Sequence, residues 1–193
     1  MTENAVGTVG ARAPGALGRI KWAFAERRNE VMMTGLRWAI ALEWMNSAWG
    51  KMNNPRFVSG FAATNANFAK NTQFGWYKDF LTGTVIPNSS TWAYLTMYGE
   101  MLVGVSLLLG LLTNVGLVGS LFFNMNFYLA AGYSGGSTAG VNLMMLSMGG
   151  ALLFSRGATW FTLDRWLAEH PMRGLASKHP RLTRVFIGRK VVV

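Results

Sequence analysis

The chain has 193 residues, of which 51% are hydrophobic and 13% charged, and its formal net charge is +10. It contains no cysteine, which excludes disulfides, thiolate nucleophiles and iron–sulfur ligation by this chain. Both histidines, His170 and His179, follow the last long apolar segment, so we also expect no intramembrane haem and no other metal site in this chain.

The apolar residues are gathered into four long segments instead of recurring periodically. These segments are residues 31–50, 91–113, 115–132 and 139–156. Each reaches or approaches the roughly 20 residues that a helix needs to cross a bilayer. All five prolines fall outside them, as expected where backbone hydrogen bonds must be satisfied within the helix. The sequence therefore predicts an all-α integral membrane protein, a four-helix bundle.

The basic residues predict the orientation of the spans. They cluster in residues 1–30, which include a basic amphipathic stretch from Arg19 to Arg28, and in residues 157–193. We interpret these regions as cytoplasmic segments flanking a membrane domain, 31–156, in the cell (inner) membrane. Without a nucleic-acid motif, the basic ends favour contact with anionic lipid headgroups over DNA or RNA.

The connection between spans one and two, residues 51–90, is predicted to be extracytoplasmic. It carries seven aromatic residues: Phe57, Phe61, Phe68, Phe74, Trp76, Tyr77 and Phe80. A connection of this length is uncommon unless functional, so we expect short helices packed on the outer surface. Its rings either anchor the segment at the membrane interface, which is the simpler interpretation, or form a ring-stacking pocket. The other turns are predicted at Thr113-Asn114, on the inner side, and at residues 132–138, on the outer side.

Several polar residues interrupt the spans at a similar depth. By helix rise, Glu43 and Glu100 lie about 11 and 14 Å from the outer ends of their spans, and Asn124 and Asn126 about 12 and 9 Å. We predict that these residues form a polar belt. Either Glu100 is protonated or bonded to Asn124 and only stabilises the bundle, or the belt is a pocket for a small ligand or a proton.

Two further features bear on the packing of the spans. Gly104 lies four residues after Glu100, and Gly116 lies four residues before Ser120. Small residues at this spacing predict close helix contact at the level of the belt. Arg37 is expected to extend inward to the lipid headgroups.

Several runs of residues resemble the DoxX/DoxD family of four-span membrane proteins. They are residues 74–81 (Phe-Gly-Trp-Tyr-Lys-Asp-Phe-Leu), 85–89, 98–104, 107–113 and 161–167, together with Arg37 and Gly50-Lys51. The Trp76-Tyr77 segment favours the DoxD branch. That resemblance implies a subunit of a thiosulfate:quinone oxidoreductase, which oxidises thiosulfate to tetrathionate and reduces a quinone together with a second subunit, DoxA. No part of this chain resembles DoxA, so a partner subunit is expected.

The resemblance and the polar belt lead to a first hypothesis, an oxidoreductase subunit with a quinone site. Glu43 and Glu100 would exchange protons with the quinone. The ligand pocket would be formed by Asn124, Asn126, Tyr98, Trp76 and Tyr77. An anion such as thiosulfate would approach Lys51, Arg56, Lys70 or Lys78.

The alternative is a non-catalytic scaffold or accessory subunit of a larger membrane assembly, in which the belt stabilises the bundle and the connection and tails bind partners or lipids. Small-solute transport is less favoured, because the four spans show no repeats or broken helices.

Overall fold

A computed structural model of the chain describes residues 15, 17–18, 26–155, 161–170 and 178. Its elements are α1 (Arg28–Met52), α2 (Phe57–Asn71), α3 (Gly75–Phe80), a π-helical turn (Leu81–Val85), α4 (Ser89–Leu109), α5 (Thr113–Ala131), a 3-10 turn (Gly132–Ser134), α6 (Gly136–Phe154) and α7 (Leu163–Glu169). The described residues contain no strand, which confirms the all-α prediction for this part of the chain.

Three of the long helices are apolar enough to cross a membrane. They are α4, α5 with the 3-10 turn that continues it, and α6. With 25 residues, α1 is the longest helix, but it carries charged residues such as Arg37 and Glu43, which are costly in lipid. The protein is therefore a membrane protein with three candidate spans among its described residues, and the fourth crossing stays a prediction.

One predicted turn was wrong by three residues. The inner turn lies at residues 110–112, because α4 ends at Gly110 in the left-handed conformation (φ +64°) and Thr113 already begins α5. Glycine is the usual residue for such a helix end. The turn after α5 begins at Gly132, as predicted, but it ends at Gly135, because residues 136–138 already belong to α6. Residues 19–25 of the basic stretch and most of residues 157–193 lie outside the described residues.

Helix α1 runs antiparallel to α4 and packs closely against it. A Cβ atom on Gly104 would lie only 2.6 Å from Met45 Cγ, so glycine allows the two backbones to approach. This contact confirms the predicted helix approach at Gly104. Helix α5 runs antiparallel to α4 and parallel to α1, to which it is joined by a 2.8 Å hydrogen bond from Trp44 Nε1 to Ser120 Oγ. The buried core between these helices and α6 consists of Ile40, Ala41, Trp44, Val103, Leu107, Leu117, Met145 and Leu152.

The connection between α1 and α4 is helical, as expected. Helix α2, α3 and the π-helical turn form a second apolar cluster over the start of α4 and the end of α5, with Ala69, Tyr77, Leu81, Val85 and Ala130 at its centre. Thr72 Oγ1 also donates a hydrogen bond to the Leu129 carbonyl at 2.8 Å. These contacts hold the connection against the end of the helix bundle.

At the opposite end, Asp164 of α7 caps the N-terminus of α5. Its carboxylate is 2% exposed and accepts hydrogen bonds from Leu112 N (2.7 Å), Thr113 N (2.8 Å) and Thr113 Oγ1 (2.8 Å). A carboxylate at this position also interacts favourably with the helix dipole. Helix α7 is thereby joined to the turn between α4 and α5.

Arg37 lies in the same cluster, and the prediction that it reaches the lipid headgroups was wrong. It does extend toward the inner end of α1, but it is fully buried, its guanidinium donates to the Phe161 carbonyl at 2.8 Å and it is attracted by the charge of Asp164. The partners of the guanidinium are thus the Phe161 carbonyl and the Asp164 carboxylate, and not the lipid headgroups that the sequence suggested. We name Arg37, Gly110, Phe161 and Asp164 the inner cluster.

Candidate functional site

A cavity of about 530 Å³ lies between the helical connection and the outer halves of α4 and α5. Most of its wall is aromatic or aliphatic, including Phe57, Phe61, Phe68, Tyr77, Phe80, Trp92, Phe122, Phe123 and Phe127. Its cationic groups are Lys51 and Arg56. An apolar cavity of this size with a few convergent polar groups is typical of a small-molecule site, and we call it the outer cavity.

Lys51 connects the outer cavity to a buried carboxylate. Its Nζ atom lies 2.6 Å from Glu100 Oε2 and 2.6 Å from Ser47 Oγ. The Lys51 side chain is 21% exposed, whereas that of Glu100 is fully buried. The second carboxylate oxygen, Glu100 Oε1, has no hydrogen-bond partner among the described residues. The Lys51–Glu100 pair thus contains a buried carboxylate, one oxygen of which accepts no hydrogen bond from the described residues, and it lies next to a cavity.

Aromatic rings surround the same lysine. Its Nζ atom lies 5.7 Å from the centroid of the Phe127 ring, within the range of cation–π attraction. Phe127 stacks on Phe123 at 6.3 Å, and both rings contact Trp44. These rings exclude water from the lysine on the bundle side and leave its cavity side accessible.

Tyr77 forms another part of the wall. Its hydroxyl donates to the Asn126 carbonyl oxygen at 3.1 Å, with Asn126 Oδ1 at 3.3 Å. Burial raises the pKa of Tyr77 to about 12, because the phenolate would lose its hydration. Tyr77 is therefore a neutral donor that fixes α3 to α5.

The Tyr77 pKa predicts an alkaline loss of stability. An unfolded tyrosine ionises near pH 10, so the stability that the neutral form contributes is complete below about pH 10 and is lost as the pH rises toward 12. We expect the free energy of unfolding to fall by up to about 2–3 kcal/mol across this interval. In Tyr77→Phe this fall of the free energy of unfolding with rising pH should disappear, whereas Tyr133→Phe should retain it. Detergent unfolding titrations at pH 9–12 would measure both slopes, and equal slopes in the two variants would contradict the assignment.

The predicted polar belt is only partly assembled. Glu100 and Asn124 are both buried, but Asn124 donates to the Ser120 carbonyl at 3.0 Å on its own helix and not to Glu100. Asn126 lines the outer cavity. Glu43 is exposed, so the prediction that it belongs to the belt was wrong. The cation that faces Glu100 is Lys51.

Of the remaining predicted site residues, one lines the outer cavity and the others do not. Arg56 is exposed and lines the outer cavity. Trp76 and Tyr98 are both exposed and do not line it, although Trp76 packs edge-on against Tyr77 and Tyr98 stacks on Tyr94. Lys70 and Lys78 are exposed and also lie outside the cavity wall. Among the described residues, no three His, Asp or Glu side chains converge in a manner suited to a metal ion.

Sequence reasoning missed Lys51 as the partner of Glu100. The signal was available, because side chains of an α-helix lean toward its N-terminus, and this brings a lysine at the outer end of α1 down toward the level of Glu100. It also missed Trp92, Phe123 and Phe127 as wall residues, since aromatic residues within apolar spans are usually taken as lipid-facing or core residues.

Comparison with known proteins gives a family but no individual relative. A family model described as TQO small subunit DoxD matches residues 32–183. No match was found among the curated proteins or among the solved structures. The matched region includes α4, α5, α6, all of α1 except residues 28–31, the outer cavity and the inner cluster, and the protein belongs to the DoxD family.

Proposed function

We propose that this chain is a four-span subunit of a thiosulfate:quinone oxidoreductase, and that it binds the quinone headgroup in the outer cavity. Both termini are then cytoplasmic and the outer cavity faces away from the cytoplasm. The basic residues at the two ends of the chain support this orientation. A partner subunit of the DoxA type supplies the rest of the complex.

The burial of charge supports a membrane position for α1. A charged residue in lipid costs on the order of 2.5–3.5 kcal/mol. Because α1 carries several charged residues, its composition alone does not identify it as a span. Arg37, however, is buried against the Phe161 carbonyl, and Lys51 is paired with Glu100. The direction of α1, antiparallel to α4 and parallel to α5, is also that of a helix crossing with them.

The observation that carries the proposal is the Lys51–Glu100 pair beside an aromatic cavity. A quinone ring fits between aromatic walls, and its carbonyl oxygens need a hydrogen-bond donor, which Lys51 Nζ provides. A bound quinone would accept two electrons and two protons. Lys51 lines the cavity and can donate to such a headgroup, while Glu100 does not line the cavity and acts as a positioning residue that holds the ammonium group in place.

Anion approach is supported at one place on the surface. Arg56 and Lys51 both line the outer cavity, so a dianion such as thiosulfate would meet two cations there. Lys70 and Lys78 lie away from this wall. We therefore assign attraction of the anion to Arg56 and Lys51, with electron transfer completed in the complex with the partner subunit.

Filling the cavity tests the proposal. Gly60 lines it, and a Cβ atom there would meet no other atom within 4 Å. In Gly60→Leu the side chain should occupy ligand space and weaken the binding of decylubiquinone at least about tenfold, or roughly 1.4 kcal/mol. The control is Gly83→Leu, an equally open glycine that does not line the cavity, which should bind as the wild type does. Binding would be measured on the full chain in mild detergent by quenching of tryptophan fluorescence.

Wild-type protein that does not bind decylubiquinone, or equal binding by the two variants, would overturn the quinone site. The alternative, a scaffold or accessory subunit, would then be favoured. One observation supports that alternative: the charge of Glu100 is already neutralised by Lys51, as in a purely structural ion pair.

A further inference from the structure

Five residues that line the outer cavity are themselves exposed: Asn54, Arg56, Thr64, Leu95 and Phe122. A residue that both lines a cavity and is exposed lies at its rim. Asn54 and Arg56 belong to the turn between α1 and α2, and Thr64 to α2. Leu95 of α4 and Phe122 of α5 are 56% and 57% exposed. The rim is therefore polar at Asn54, Arg56 and Thr64 and apolar at Leu95 and Phe122.

The apolar rim lies at the level of the hydrocarbon. Leu95 is six residues from the start of α4 and Phe122 nine residues from the end of α5, which places them about 9 and 14 Å along their helices from the outer ends. Both helices are candidate spans. The side chains around this rim are therefore in contact with lipid tails and not with water.

We propose that the apolar rim at Leu95 and Phe122 is a lateral entrance, through which an amphiphile with a polar head and a long apolar tail enters from the bilayer, head first, toward Lys51. This inference rests on the proposed quinone site and adds the route by which the ligand reaches it. The bound head lies between the aromatic walls, and the tail passes between Leu95 and Phe122 and stays in the hydrocarbon.

Energetics select this route over the polar opening. Exposing a tail to water carries a free-energy cost for every methylene group, so a ten-carbon tail would have to overcome the sum of these costs to arrive through the rim at Arg56. Between Leu95 and Phe122 the tail exchanges lipid contacts for side-chain contacts, with almost no such penalty. The polar rim suits a small anion for the opposite reason, since Arg56 and Lys51 provide compensating charge. In this proposal the outer cavity is open to water at Arg56 and to the lipid at Leu95 and Phe122.

The absence of cysteine from the chain allows a reversible block to be placed at the apolar rim. Leu95→Cys, labelled with a benzyl methanethiosulfonate reagent, carries a removable bulky group at the entrance. The matched control is Leu102→Cys, two turns further along the same face of α4, which is 70% exposed and does not line the cavity. Both full-length variants would be reconstituted in liposomes and mixed rapidly with decylubiquinone or with the tailless, water-soluble ubiquinone-0.

The label at position 95 should slow the association of decylubiquinone at least tenfold and leave ubiquinone-0 within about twofold of its unlabelled rate. Removal of the label by reduction, followed by removal of the reductant, should restore the rate, which excludes misfolding as the cause. The labelled Leu102→Cys protein should bind both quinones at the unlabelled rate. Equal rates for decylubiquinone in the two labelled variants, or equal slowing of both quinones, would overturn the lateral entrance while leaving the quinone site intact. Failure of the wild type to bind either quinone would instead overturn the site itself.

Discussion

Lys51→Met should lower the free energy of unfolding by about 3–5 kcal/mol, the usual effect of removing one partner of a buried ion pair. Glu100 is fully buried and its Oε2 atom bonds to Lys51 Nζ at 2.6 Å, so the substitution leaves a carboxylate without its cation. Glu100→Gln should cost less, about 1–3 kcal/mol, because Lys51 is partly exposed and can turn its ammonium group outward. Titration with SDS in mixed micelles would measure both losses.

The double variant Lys51→Met with Glu100→Gln separates stability from ligand binding. It contains no buried charge at this site, so its stability should return to within about 1 kcal/mol of the wild type. Decylubiquinone binding should stay at least about tenfold weaker, because the donor to the headgroup is still missing. Recovery of both properties would show that the pair is only structural, as the scaffold alternative requires.

Asp164→Ala should produce a comparable loss of stability, about 3–5 kcal/mol, through the inner cluster. The substitution removes the acceptor of three hydrogen bonds, two of them from backbone N–H groups at the start of α5, and removes a negative charge that attracts the Arg37 guanidinium. Asp164→Asn keeps one acceptor oxygen and should fall between alanine and the wild type.

The matched control for the inner cluster is Asp79→Ala, at an exposed aspartate near the end of α3. This substitution should change the stability by no more than about 0.5 kcal/mol, as is usual for the surface. The same SDS titration serves for all three variants. A loss in Asp164→Ala no larger than in Asp79→Ala would contradict the role of Asp164 as a cap.

Apolar length predicted the long helices well, because the need to satisfy backbone hydrogen bonds in lipid leaves few alternatives. The ends of α4, α5 and α6 were each within four residues of the predicted spans. The inner turn was misplaced because Thr113-Asn114 resembles a turn by composition, whereas the helix actually ends at Gly110. Gly110 marks the end of α4 better than the polar pair Thr113-Asn114 does, because glycine readily adopts the left-handed conformation that ends a helix.

The candidate site was harder to predict because depth alone does not give direction around a helix. Glu43 and Lys51 are both near the outer half of α1, but the buried stripe of that helix runs through Ile40, Trp44 and Ala48. Lys51 continues this stripe at helical spacing, and Glu43 does not. The cavity itself could not be predicted, because it depends on how α2 and α3 fold back over α4 and α5.

The inner cluster imposes an order on the biogenesis of the protein. The first backbone amides of α5 and the guanidinium of Arg37 obtain their partners from residues 161–164, which leave the ribosome about fifty residues after α5 begins. During synthesis, these contacts therefore cannot form until residues 161–164, which follow all the long helices in the chain, have been made. The turn between α4 and α5 thus obtains its hydrogen-bond partners only after α6 has been synthesised, from a segment that follows α6 in the chain.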